Sequence, residues 1–201
     1  QEKLDEAIEA YTKAISIKPD YAEAYNNLGF TLQEQEKLDE AIEALNKALS
    51  INPDMSEAYN NIGIVFKQEG KLVDATEAYK KALSINRNNA AAHINLGNAL
   101  GDRGKLDEAV EAYTKGLAIK PDFESVKLQR LHQLKQMCDW DTIDKDNSRI
   151  CNLGTKKKSV PPFGAISLEE APANHLQRAK LYSSKFAKVN LVSSTLKPRD
   201  Q

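Results

Sequence analysis

Long apolar runs are missing from the 201 residues. The longest, about Ile62–Phe66, falls far short of the roughly 18–20 residues a membrane-spanning helix needs, so no membrane contact is expected. No charged segment followed by an apolar one is visible, and no Asn-x-Ser/Thr sequon. Cysteine is scarce. Cys138 and Cys151 cannot make a disulfide framework. They suit a reducing, cytoplasmic setting in which both thiols are free and buried. No Gly-rich phosphate loop occurs. His93, His132 and His175 share no metal-ligand spacing, and Cys138 has no base nearby in sequence. Asp139, Asp141, Asp144 and Asp146 resemble a calcium loop only at first sight. Asp144 stands where the loop needs Gly, and Ile150 where it needs Glu. The chain is therefore expected to be no enzyme and to hold no cofactor or metal. It begins at Gln1, not Met, and is expected to be a piece of a longer protein.

Apolar residues make up 41% and charged residues 28%, which is the composition of a folded chain. The net charge of −1 hides an asymmetry. Residues 1–123 carry 14 Lys+Arg against 21 Asp+Glu, a net of −7, and residues 124–201 carry 14 against 8, a net of +6. An acidic N-terminal region disfavours nucleic acid, whose phosphates need Lys and Arg. Lys156-Lys157-Lys158 lacks interleaved aromatics and reads as a solvated loop, so no nucleic-acid partner is expected.

A 34-residue period dominates the first part. The blocks 22–55, 56–89 and 90–123 align without gaps, and residues 1–21 match the second half of a block. Gly29, Gly63 and Gly97 hold the eighth place, Ala41, Ala75 and Ala109 the twentieth, and Leu45, Tyr79 and Tyr113 the twenty-fourth. Apolar residues inside each block recur at helical spacing, as in Tyr25, Leu28 and Leu32, then Leu38, Ala41, Ile42, Leu45 and Leu49. Gly70 and Gly104 fall between the two helices of their blocks, and Pro53 and Pro121 follow the second helices. Asp39/Glu40 and Asp107/Glu108 open second helices, where they complement the macrodipole. One helical pair cannot bury both its faces, so neighbouring repeats must supply the core.

The pattern Tyr25, Leu28, Gly29, Leu32, Ala41, Leu45, Pro53 resembles the tetratricopeptide repeat. The resemblance covers about residues 1–123. It implies an all-α, right-handed superhelical solenoid of antiparallel helix pairs that binds proteins or peptides and does no chemistry. Two residues depart from it: His93 replaces the aromatic at place four, and Gly116 stands where Ala is usual. The half repeat, 1–21, lacks its first helix, so Leu4, Ile8 and Tyr11 lose a partner and are expected to seek self-association or another chain.

The register is expected to fail after Phe123. Residues 124–155 read as a capping helical pair, with Asp141 as N-cap of its second helix and Trp140 packed on the last repeat. Residues 156–201 read as a linker with Pro161-Pro162, a helix over about 172–189, and a tail leading to a further domain. Cys138-Asp139-Trp140, Pro162-Phe163, Leu176-Gln177-Arg178-Ala179 and Tyr182 are similar to the segment that joins repeats to the catalytic domain in O-linked N-acetylglucosamine transferases of the SPINDLY type. That likeness implies a substrate- or partner-recognition array whose catalytic domain lies elsewhere. A free-standing adaptor for complex assembly is the alternative.

In the tetratricopeptide family the first helix of each repeat lines a concave groove, at places two, five, six, nine, twelve and thirteen. Those places hold Glu23, Asn26, Asn27, Phe30, Gln33 and Glu34 in the first repeat, Glu57, Asn60, Asn61, Ile64, Lys67 and Gln68 in the second, and Ala91, Ile94, Asn95, Asn98, Gly101 and Asp102 in the third. Asn27, Asn61 and Asn95 recur at place six. An amide donates and accepts together, so three in a row can hold an extended peptide backbone of any sequence, with the free protein leaving them in solvent. The resembled glycosyltransferases use such an asparagine ladder, although asparagine is also common at this place in many repeats. A Lys/Arg clamp for a terminal carboxylate is not evident, because Lys67 is the single base among these places, and the groove should prefer neutral or basic segments.

Overall fold

The structure, a computed structural model, describes residues 2–139 and Thr142. The expectations for Trp140, Asp141, the second capping helix, the linker, the helix over 172–189 and Cys151 lie outside the described residues. Residues 1–138 form one compact unit. Among the described residues it is all helix: α1 (Glu2–Ile17), α2 (Ala22–Glu34), α3 (Leu38–Ile51), α4 (Ser56–Gln68), α5 (Leu72–Ile85), α6 (Ala90–Asp102), α7 (Leu106–Ile119) and α8 (Glu124–Gln136). None of these is long and apolar enough to cross a membrane.

The pairs α2/α3, α4/α5 and α6/α7 pack most closely, and each pair then stacks on the next. Small residues at two places make the close packing feasible. Ala41, Ala75 and Ala109 are wholly buried. Each place-eight glycine is the floor for the place-24 side chain of its own repeat. A Cβ on Gly29 would lie 2.6 Å from Leu45 Cγ, and one on Gly63 2.5 Å from the Tyr79 ring. The side chains at these floors join Leu32, Val65, Leu96 and Leu100 in two core clusters along the array.

The turn inside each repeat is a Schellman closure. Lys37, Lys71 and Lys105 each donate N–H back to Leu32, Phe66 and Leu100 carbonyls at 2.8–3.0 Å. The residue before each lysine is left-handed: Gly70 (φ 75°), Gly104 (φ 73°) and, against the glycine preference, Glu36 (φ 61°).

Beyond Phe123 the backbone departs from expectation by keeping its register. Helix α8 has the same 13-residue length as α2, α4 and α6, and Cys138 (φ 57°) is left-handed 34 residues after Gly104. What fails is the sequence pattern, because Leu131 now stands, buried, at place eight. Cys138 itself is exposed, not buried as expected, because it occupies the turn and not a helix face. Asp139 Oδ1 accepts the N–H of helical Thr142 at 3.1 Å. Gly116 has a partner that explains it: its absent Cβ would lie 3.0 Å from Ile94 Cγ1, so the larger side chain at 94 fills the space that alanine would take.

Candidate functional site

Successive first helices touch, α2 with α4 and α4 with α6, while successive second helices make no comparable contact. The array is therefore tightest on its first-helix side, and α2, α4 and α6 line that inner face. Their places five and six are neighbours across repeats, which brings five asparagines into one row.

The row is continuous. Asn95 Nδ2 donates to Asn60 Oδ1 at 3.1 Å, Asn60 Nδ2 to Asn61 Oδ1 at 3.4 Å, Asn61 Nδ2 to Asn26 Oδ1 at 3.0 Å, and Asn26 Nδ2 to Asn27 Oδ1 at 3.3 Å. Two of these bonds span 35 residues and tie neighbouring repeats together. Asn26, Asn60 and Asn61 each use one N–H and one lone pair in the row, whereas Asn27 uses a lone pair alone and Asn95 an N–H alone, so the row keeps donors and acceptors for a ligand. The place-six amides therefore do not stand alone in solvent in the free protein, as a bare ladder would. They are braced by the place-five amides, a contribution the period of 34 conceals because the bond runs at 35.

The remaining predicted residues surround this row unevenly. Phe30 is 44% exposed, unusual for so large an apolar side chain. Ile64 is half-buried. Asn60 and Gln33 are buried and do not stand in the open groove; for Asn60 this follows from its position between Asn95 and Asn61. Asn98 accepts the Tyr113 hydroxyl at 2.8 Å, and its amide hydrogens meet no acceptor among the described residues. Tyr113 is buried, and its pKa is pushed up to about 12, first by that burial and then by the charge of Asp102. Lys67 pairs with Asp102 across the repeat boundary at 3.2 Å. The one groove base is thus neutralised, while Glu23, Glu34 and Glu57 stay exposed, so the face is acidic and amide-rich.

A second hollow of about 310 Å³ lies between α5, α6 and α7, floored by Leu83, Leu96, Leu100 and Ala112. It contains none of the predicted groove residues. Its rim charges are matched within their own helices, Lys80 by Glu77 and Lys115 by Glu111, so little charge there is left to recognise a ligand. His93, on its wall, is held through Nε2 to the Arg87 carbonyl at 3.0 Å.

Three models of the tetratricopeptide repeat match, over residues 1–35, 20–88 and 90–123. No curated protein matches the chain. Among solved structures, MamA is 23% identical with a TM-score of 0.62, covering 92% of this chain and 91% of its own. YrrB, described as a tetratricopeptide repeat protein with an unusual peptide-binding site, is 19% identical with a TM-score of 0.64, covering 90% and 87%. The first repeat domain of Spaghetti (RPAP3), solved with the HSP90 peptide SRMEEVD, is 22% identical with a TM-score of 0.57, covering 58% of this chain and 93% of its own. At these identities the likeness is one of fold. Residues 1–88 and 90–123 belong to the tetratricopeptide repeat family.

Proposed function

We propose that the first-helix face binds an extended segment of another protein, chiefly through the segment's backbone. The observation that carries this reading is the unbroken asparagine row, with a spare donor and acceptor on its amides. Phe30 and Ile64 beside it supply apolar surface, and the exposed acids favour neutral or basic segments over acidic ones. The peptide-binding site described for YrrB and the HSP90 peptide bound by the RPAP3 domain support the same use of this fold. The junction-like sequence from Cys138 to Tyr182 supports a role as the recognition part of an O-linked N-acetylglucosamine transferase-like, SPINDLY-type enzyme of the cytoplasm, with the adaptor role as the alternative. Self-association through α1 belongs to the same proposal: α1 has no buried residue, and Ile17 is 77% exposed.

The test is a titration of two dissimilar peptides, one neutral and one basic, into the wild type and the Asn27→Ala/Asn61→Ala/Asn95→Ala variant. Losing a neutral hydrogen bond or two at each site, about 0.5–1.5 kcal/mol apiece, should weaken both peptides about ten- to a thousandfold. Unchanged affinity in a variant that still folds would rule the groove out.

A further inference from the structure

The asparagine row has a direction. Resting on the groove reading above, we infer that its two ends read opposite groups of the bound chain: Asn95 Oδ1 takes an N–H from the ligand, and Asn27 Nδ2 gives an N–H to a ligand carbonyl.

Every bond in the row points the same way, from Asn95 through Asn60, Asn61 and Asn26 to Asn27. No single member can turn over alone. Reversing Asn60 would set its N–H against the N–H of Asn95, and its oxygen against the oxygen of Asn61. The five amides therefore keep one common orientation, and such chains polarise and strengthen one another. The unmatched groups collect at the ends. Asn27 keeps both amide hydrogens, and Asn95 keeps its oxygen, which meets no donor among the described residues.

The bare end at Asn95 has a cause in sequence. In the first two repeats the place-six oxygen is filled by the place-five amide beside it, Asn26 for Asn27 and Asn60 for Asn61. In the third repeat place five is Ile94, which has no donor to offer. Two neighbours fix which end carries which group. One turn before Asn27 stands Glu23, whose carboxylate favours amide hydrogens there, while the matching place before Asn95 is Ala91. One turn after Asn95 stands Asn98, whose oxygen is occupied by the Tyr113 hydroxyl. Its amide hydrogens are thereby left outward, which favours an oxygen on Asn95.

Two measurements decide the inference. The first is hydrogen exchange of the asparagine side-chain amides by NMR in the ligand-free protein. The Asn27 amide should exchange fastest of the five, because it alone donates no bond in the row. A fast Asn95 with a slow Asn27 means the row runs the other way and overturns the assignment. The second uses a capped twelve-residue Ser/Thr/Val peptide and its fully N-methylated counterpart, which has no backbone N–H. Asn95→Leu should weaken the first about 2- to 10-fold and leave the second unchanged. Equal losses for both peptides, or no loss for the first, defeat the reading of Asn95 while the groove stands. A wild type that binds neither peptide defeats the groove itself, and the reading of Asn95 with it.

Discussion

Gly63→Ala tests the principle on which each repeat closes. Its added Cβ would sit 2.5, 2.7 and 2.9 Å from three atoms of the Tyr79 ring. Carbon atoms rest at about 3.5–4.0 Å, so ring or helix must move by about 1 Å. The ring cannot yield easily: Tyr79 is 1% exposed and belongs to a core cluster with Ala75, Leu96 and Leu100. Overpacking of this kind costs about 1–3 kcal/mol. Alanine also returns about 1 kcal/mol of helix propensity, so the net loss should be about 0–2 kcal/mol. The single variant is therefore a blunt probe, and the cycle with Tyr79→Ala is the sharp one. With the ring gone the steric term vanishes, and Gly63→Ala should stabilise by about 1 kcal/mol. The coupling between the two positions, read from urea unfolding, should be about 1–3 kcal/mol. Gly70→Ala is the control. Nothing lies within 4 Å of its Cβ, so its cost is the left-handed backbone alone, about 1 kcal/mol, uncoupled from Tyr79. A coupling near zero at Gly63, or an equal one at Gly70, would refute the claim that place-eight glycine exists to seat the place-24 side chain.

Further predictions concern turns, charges and tyrosines. Glu36→Gly and Cys138→Gly relieve left-handed residues at turns and should each stabilise by about 0.5–1 kcal/mol in thermal or urea unfolding; a loss at either site would show that the side chain supplies a compensating contact. Tyr113 has its folded pKa raised to about 12, mainly by burial, and burial raises Tyr79 as well. The stability this provides is complete below about pH 10, the unfolded tyrosine value, and is lost as pH rises from there through 12. Of the seven tyrosines, these two should therefore ionise only as the fold is lost, seen as late phenolate absorbance that coincides with the fall in circular dichroism. Lys67→Gln breaks a half-exposed ion pair, so stability should change by less than about 1 kcal/mol, while Asp102 is released and a basic peptide should bind more tightly at low salt than at high.

The fold was legible because its determinants are local and repeated. Gly29, Gly63 and Gly97, spaced against Leu45, Tyr79 and Tyr113, encode the helix-to-helix distance directly, and Gly70 and Gly104 mark turns that need a left-handed residue. What escaped has equally physical reasons. Glu36 adopts the same turn without glycine, because the Schellman bond from Lys37 and the packed helices outweigh a penalty of about 1–2 kcal/mol, and Cys138 is left-handed without glycine as well. Helix α8 keeps the backbone period although Leu131 breaks the glycine pattern, so a search for glycine stops one helix early. The groove was legible as a list of faces and not as a network. Asn27, Asn61 and Asn95 stand out at a spacing of 34, whereas the bonds join residues 35 apart, and only stacked helices bring place six of one repeat against place five of the last.

That offset changes what the asparagines mean for stability as well as for binding. Residues free in solvent could be replaced without thermal cost. Here Asn61→Ala and Asn95→Ala each remove a bond between repeats, about 0.5–1.5 kcal/mol, and leave the part-buried Asn26 and the buried Asn60 each with an unmet oxygen. Asn27→Ala removes only the outermost acceptor, and Asn27 is exposed. The three single variants should therefore separate bracing from binding. Melting temperature should fall for Asn61→Ala and Asn95→Ala and stay near wild type for Asn27→Ala, while peptide affinity falls for all three. Equal melting losses at the three positions would show that the row braces nothing in particular. Affinity lost only where melting falls would mean that the amides bind no ligand and act solely on the stacking of repeats.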